Sequence, residues 1–478
     1  MPRRKMHVTG AAEAPLRAAL RELRTTLDVP EDFPPEVVAE AESAAGSPRL
    51  PDRDATDVPF FTIDPPTSVD LDQAMYLSRR DGGFRVQYAI ADVAAFVAPG
   101  GLLDAEVHRR VQTLYFPDEK TPLHPAVLSE GAASLLPDQT APALLWQIDL
   151  DAEGRTVATD VRRALVRSRA KLDYEGVQRQ IDAGTAEEPL ALLKEIGLLR
   201  ENLERERGGI SLNVPEQEVV ERDGAYFLAY RAALPADSWN AQISLLTGMA
   251  AADLMIAAGT GILRTLPTAP DGAVARLRRS AKALGIDWPH HVSYADVVRS
   301  LDPHNARHAA FLQECTSLLR GAGYSSFTGG ELPSPAVHAA VADEYTHCTA
   351  PLRRLVDRYA GELCVAFCAG QGVPEWVLAA LDDLPKEMAD GSRRANTVER
   401  ECVDIVEAAL LKERVGEVFD AYVVDVKEGE PAVGTVHLED PAVVARIAGG
   451  DALPLGERLR VRLTQADPGT AKVQFAPA

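Results

Sequence analysis

At 478 residues the chain has room for about two to four domains, and 46% hydrophobic with 25% charged residues is an ordinary balance for a globular protein with a sizeable core. The formal net charge of −21 argues against a uniformly basic nucleic-acid-binding surface, although a groove can be locally positive on an acidic body. Cys315, Cys348, Cys364, Cys368 and Cys402 show no metal-ligand spacing and are expected as buried thiols of a reducing compartment. No apolar h-region follows the basic start MPRRKMHVTG, and no run approaches the roughly 18 apolar residues of a membrane span, so a cytoplasmic protein is expected.

In APLRAALRELRTTLDVP, Leu16, Leu20, Leu23 and Leu27 form one apolar stripe of a helix. Arg17, Arg21 and Arg24 fall on another face, read either as a solvated side or as an RNA-facing arm. Proline breaks and a second short helix follow in VPEDFPPEVVAEAESAAG, and SPRLPDRDATDVP reads as a linker. Residues 1–55 are therefore set apart as a helical N-terminal module.

Beyond this the texture changes. RVQYAIADVAAFV and LLWQIDLD read as strands, with LDAEVHRRVQTL as a helix between them. Helices dominate from about 170 to 415, among them WNAQISLLTGMAAADLMIAAG and TVERECVDIVEAALLKERVG. Residues 414–478 are short strands divided by Gly, Pro and Asp, which suits a small five-stranded barrel. Within it RLRVRL alternates, placing Arg458, Arg460 and Arg462 on one face and Leu459, Val461 and Leu463 on the other. That arginine row, with Phe419 and Tyr422 near it in sequence, is either a solvated face or a single-strand nucleic-acid surface. The expected class is α+β: the helical module, a mixed catalytic domain over 56–412, and the barrel over 414–478.

The run FTIDPPTSVDLDQAMYL holds Asp64, Asp70 and Asp72 close together, just after the apolar Phe60, Phe61 and Ile63. Like charges at short range raise one another's pKa unless a cation sits among them. Turn and cap chemistry around Pro65, Pro66, Thr67 and Ser68 is one reading. An EF-hand calcium loop is excluded, because no glycine occupies its sixth position and no glutamate closes it. Magnesium is the other reading, since its usual ligands are a few carboxylate oxygens, waters and substrate phosphates. Spacing alone leaves these two open.

TIDPPTSVDLDQA resembles the signature of the ribonuclease II family of processive 3′-to-5′ exoribonucleases, a segment that carries four aspartates. Asp64, Asp70 and Asp72 fall on three of them and Gln73 on the fourth. Further blocks resemble the family in order. They are YAIADVAAFVAPGG, with Ala89 where a histidine is usual; VQTLYFPDEKTPLHPAVLSEGAASLLP, with Tyr115 on the family tyrosine; and SRAKLDYEGVQ. EYTHCTAPLRRLVD follows, with Ala350 and Leu352 as mild changes, and then VERECVDIVEAALLK with Glu399. The terminal barrel resembles the OB-fold RNA-binding domain that ends these proteins.

The resemblance implies a magnesium-dependent, hydrolytic exoribonuclease that degrades single-stranded RNA to 5′-nucleoside monophosphates and a short end product. Asp64, Asp70, Asp72 and Gln73 would hold one or two Mg2+ ions, with Asp70, Asp72 and Arg353 as the catalytic residues. Arg353 would clamp the scissile phosphate, and Arg354 is either a second RNA contact or a structural ion-pair partner. Tyr115 would stack beside a base near the 3′ end, Glu399 would hydrogen-bond the terminal ribose, and Arg458, Arg460 and Arg462 would contact RNA on the barrel. Gln73 brings an oxygen without charge, which weakens the hold on metal; the alternative is a catalytically weakened RNA-binding protein. Leu246 and Thr247 stand where a family helix presents an acidic pair, and Leu212 where a base-stacking aromatic is usual, implying altered product length or processivity. Two small OB barrels often precede the catalytic domain in this family; here a compact helical module of the helix-turn-helix kind is expected instead. A monomer is expected.

Overall fold

The computed structural model describes residues 14–30, 32–222, 225–438, 440–470 and 472–478. At its centre Phe60–Ile63, Gln73–Arg80, Gly83–Ala91, Thr140–Asp151 and Thr156–Leu172 close a five-stranded barrel in chain order. Neighbours pair antiparallel except at the closure, where the first strand runs parallel to the fifth. Local chemistry sets the hairpin between the second and third strands. Arg80 pairs with Gly83 across Asp81 and Gly82, and Gly82 takes φ 76°, which glycine adopts without a Cβ penalty.

The expected strands around Tyr88 and Trp146 and the helix Leu102–Arg110 are present, and Tyr88 and Trp146 are fully buried. Helices Glu188–Glu206 and Leu355–Cys368 pack on the barrel, and Pro235–Ala258 packs on both of them. Pro235–Ala258 corrects one expectation, because it is long and apolar enough to cross a membrane by length and composition. More than half of its apolar stretch is buried inside the fold, where Trp239, Ile243 and Leu246 join the central core. Its apolarity is used in packing. The helical reading of 170–415 also missed three antiparallel pairs: Glu216–Arg222 with Ala225–Arg231, Gly261–Thr265 with Gly323–Phe327, and Val337–His338 with Asp343–Glu344. Partners of the second pair lie far apart in the chain, so local periodicity could not reveal them.

Val418–Val426, Val433–Leu438, Val443–Ala448, Arg458–Asp467 and Lys472–Pro477 close a second five-stranded barrel. Its first strand pairs with its fourth and its third runs parallel to its fifth, the order of an OB-fold. The long helix Leu384–Leu411 packs against it. One hydrophobic cluster unites Leu16, Leu20 and Leu23 of helix Ala14–Thr26, Val398 and Ile405 of the long helix, and Phe419 and Val461 of the barrel. The leucine stripe is therefore an inward face.

Two surface expectations change. Arg17 and Arg21 are exposed, but Arg24 is buried, 2.6 Å from Asp118 Oδ1 and stacked over Phe116. A guanidinium held in that way has no freedom to meet RNA. On the second barrel Arg458, Arg460 and Arg462 do point outward while Val461 and Leu463 are buried. Phe419, however, is buried against Phe475 at 5.9 Å, and half-buried Tyr422 lies under the Arg307 guanidinium. The arginine row thus lacks the aromatic platform that Phe419 was expected to provide. All five cysteines are free thiols, four buried and Cys368 half-buried.

Candidate active site

Phe60–Ile63 is buried at every position and ends at Asp64, whose N–H donates to Leu172 O at 3.0 Å. Pro65 and Pro66 lack the N–H that would extend this ladder, so the chain leaves the barrel in a loop. Leu71 is fully buried and anchors the loop's return, with Asp70 and Asp72 as its chain neighbours. Ser134 fixes the return twice: its Oγ accepts the Leu71 N–H at 2.9 Å and donates to Val69 O at 2.7 Å. Lys171 Nζ donates to Pro66 O at 2.6 Å and Ser68 O at 2.5 Å, closing the loop from the fifth strand. Both lie in blocks that resemble the family, Ser134 in VQTLYFPDEKTPLHPAVLSEGAASLLP and Lys171 in SRAKLDYEGVQ, without being singled out there. No local signal marks a serine or lysine that will cap a distant loop.

A second loop, from Tyr345 to Arg354, faces the acidic one. It crosses helix Pro235–Ala258 at Gly248, where Thr346 N–H donates to Gly248 O at 3.2 Å. A Cβ on Gly248 would lie 2.2 Å from Tyr345 Cε2, so the crossing requires glycine. Thr113 N–H donates to Arg353 O and Leu355 N–H to Val111 O, both at 3.0 Å. These bonds join the loop to the segment that carries Tyr115.

The two loops meet at Asp72. Its carboxylate is 3% exposed; Oδ1 accepts the Leu352 N–H at 2.8 Å. Oδ2 lies 3.0 Å from Arg353 Nε, without the N–H alignment of a hydrogen bond. Burial pushes Asp72 up to about 7, against the opposing pull of Arg353 and the Leu352 N–H. Asp70 and Asp357 add to the rise. Burial works against the Arg353 charge too, but Asp72 and then Tyr115 hold it firmly protonated. The Arg353 side chain is 37% exposed, so it reaches solvent while touching a buried carboxylate. Asp64 acts electrostatically on Arg353, Tyr88 and Tyr174, which places it in the same cluster.

Asp70 and Gln73 are engaged differently. Asp70 Oδ1 is 3.0 Å from Lys120 Nζ, which is 2.8 Å from Glu130 Oε1. Gln73 Nε2 donates to Thr349 O at 2.5 Å, and its oxygen accepts the Tyr88 hydroxyl at 2.7 Å. The amide thus ties the second barrel strand to the arginine loop.

Among the described residues, no three His, Cys, Asp or Glu side chains converge into a ready-made metal cage. Magnesium seldom needs one: it is usually held by one or two carboxylates, with substrate phosphates and waters completing its shell. Asp64 and Asp72 are hard carboxylate donors of that kind, and Asp72 is buried with one guanidinium beside it.

Arg354 makes a two-pronged ion pair with buried Asp357, with both contacts at 2.8 Å. Its fork is occupied. Half-buried Tyr115 stands beside Arg353, and Glu399 lies on the long helix near Cys402; that helix packs against the Leu114–Tyr115 strand. Arg458 pairs with Asp420 at 3.1 Å and Arg462 donates to Gly416 O at 2.9 Å, both on the second barrel. Leu246 and Thr247 are fully buried, with Thr247 Oγ1 donating to Ile243 O, so a charged pair could not be housed there. The side chains this helix sends toward Tyr88 and Tyr174 are Ser244 at 2.9 Å and Asn240 at 3.1 Å. Leu212 packs in a third hydrophobic cluster.

An acidic loop thus faces a solvent-reaching guanidinium in a domain joined to a terminal OB-fold barrel. Residues 52–368 match the RNB domain, and residues 417–478 match the RNase II-type exonuclease C-terminal S1 domain. The chain belongs to the RNB-domain, ribonuclease II family of exoribonucleases. It is 26% identical over 496 residues to ribonuclease R of Aquifex aeolicus, covering 94% of this chain and 68% of that protein. It is 25% identical over 470 residues to ribonuclease R of Escherichia coli, covering 88% of this chain and 57% of that protein. The chain thus spans from just over half to about two thirds of the length of these relatives. Mycoplasma genitalium RNase R in complex with ribose methylated single-stranded RNA shares the fold at TM-score 0.84 and 18% identity, covering 98% of this chain and 79% of that chain.

Proposed function

We propose that this chain hydrolyses single-stranded RNA from the 3′ end to 5′-nucleoside monophosphates, processively and with a divalent metal ion. The observation that carries the reading is buried Asp72, held by the Leu352 N–H and facing Arg353 in the cluster that includes Asp64. Magnesium among these carboxylates would neutralise phosphate oxygens and activate the attacking water. Arg353 would donate to the scissile phosphate where charge develops, a contribution of about 3–4 kcal/mol for a donor of this kind. The Leu352 N–H fixes Asp72, so that its second oxygen stays directed at the guanidinium. Tyr115, adjacent to Arg353, would hold a base near the 3′ end, and Glu399 would bond the terminal ribose, a contact that favours RNA over DNA. Arg458, Arg460 and Arg462 would steer the strand on the barrel. The single-stranded RNA in the Mycoplasma structure supports this substrate class.

The test is 5′-labelled single-stranded RNA incubated with Mg2+, with chelator, and with Asp72→Asn. Stepwise shortening to one short labelled product, lost in the last two samples, is expected. A second reading, an RNA binder with weak catalysis, is favoured by Gln73, whose oxygen is engaged by Tyr88. RNA bound by the wild type but intact at every Mg2+ concentration would establish it.

A further inference from the structure

Neither the acidic run nor the arginine loop announces Lys120. It stands in a short strand paired with Leu114–Tyr115, and its Nζ lies at ion-pair distance from both Asp70 (3.0 Å) and Glu130 (2.8 Å). The lysine side chain is 24% exposed and that of Asp70 15%. Lys120 is a fixed cation inside the acidic cluster.

The other donors of the stretch are engaged as well. Asp72 faces Leu352 N and Arg353, and the Gln73 oxygen accepts from Tyr88. A second divalent ion at Asp70 would have to displace an ammonium tethered to the same chain, and Gln73 would offer it no charge. Asp64, Asp70, Asp72 and Glu130 carry four negative charges against the two positive charges of Lys120 and Arg353. One divalent ion balances them before RNA enters; a second overshoots.

Building on the exoribonuclease reading, we propose that Lys120 stands in for a second metal ion: it holds Asp70 and leaves the site a single divalent ion beside Asp64 and Asp72. Lys120 is thus a positioning residue that acts through Asp70.

Metal-stripped full-length protein titrated with Mn2+ and followed by electron paramagnetic resonance tests this. The wild type is expected to bind one ion per chain with no spin coupling. Lys120→Met frees Asp70 and Glu130, and should take a second, spin-coupled Mn2+ at least about tenfold more tightly than the wild type does. Lys120→Arg should remain at one ion. Glu130→Gln loosens Lys120 without removing it and should give an intermediate second-site affinity, which keeps the test intact if Lys120→Met fails to fold. Two coupled ions in the wild type, or a single ion in both Lys120→Met and Glu130→Gln, would overturn the proposal. RNA cleavage by the same samples separates the two claims. Two coupled ions with cleavage removes the role of Lys120 and leaves the exoribonuclease; one ion in the wild type, a second in Lys120→Met and no cleavage does the reverse. No bound ion in any sample overturns both.

Discussion

Replacing Asp72 by asparagine should make the metal-free protein more stable at alkaline pH. The folded-state pKa of this carboxyl is about 7, against about 3.9 for an unfolded chain. Between those values the native state holds a proton that the unfolded state has released, so stability falls as pH rises through the interval and is flat above it. About three pKa units at roughly 1.36 kcal/mol each give a loss on the order of 4 kcal/mol. Asp72→Asn retains an oxygen for the Leu352 N–H and abolishes the titration. It forfeits the attraction of Arg353, whose partly exposed side chain water can solvate instead. Urea unfolding midpoints in chelator, from about pH 5 to about pH 8, should fall more steeply for the wild type, with the variant the more stable at the upper end. Mg2+ should restore the wild type there and leave the variant unmoved. Parallel pH profiles for the two proteins would refute the claim that Asp72 is an undercompensated buried charge.

The adjacent arginines should separate by assay. Arg353→Ala is expected to lower the cleavage rate about 10²–10³-fold and, because it removes the counter-charge of buried Asp72, to lower the unfolding midpoint in chelator as well. Arg354→Met leaves buried Asp357 unpaired and should cost about 3–5 kcal/mol in denaturant unfolding, while protein that remains folded retains cleavage. Gly248→Ala forces a methyl group onto Tyr345 and should lower stability by about 1–3 kcal/mol, read by thermal unfolding. Replacing Arg460 or Arg462 by alanine should reduce the slope of log affinity against log salt by about 0.7 for each phosphate no longer neutralised, measured by RNA titration.

Side-chain periodicity makes the local patterns of this chain legible from its residues. The leucine stripe of Ala14–Thr26, the alternation in RLRVRL and the strands around Tyr88 and Trp146 all follow from it, because neighbouring residues set it by themselves. The acidic run is legible too, since hard oxygen donors at close spacing are unusual enough to demand an explanation. What each charge meets is not. Arg353 and Arg354 are chain neighbours, yet one reaches solvent beside Asp72 and the other is tied to Asp357. Arg24 sits on a stripe that reads as solvated or RNA-facing and is buried on Phe116, and Phe419, one candidate platform beside the arginine row, fills a barrel. Lys120, Ser134 and Lys171 lie in blocks that resemble the family, but nothing local assigns them a role, since each acts on the acidic loop only after folding brings distant segments together. The sequence by itself determined the strongly periodic elements and the chemical types available to the site, because periodicity and donor chemistry are local. Tertiary structure alone decided which groups are buried and which charges are paired, because desolvation and Coulomb energy depend on neighbours in space.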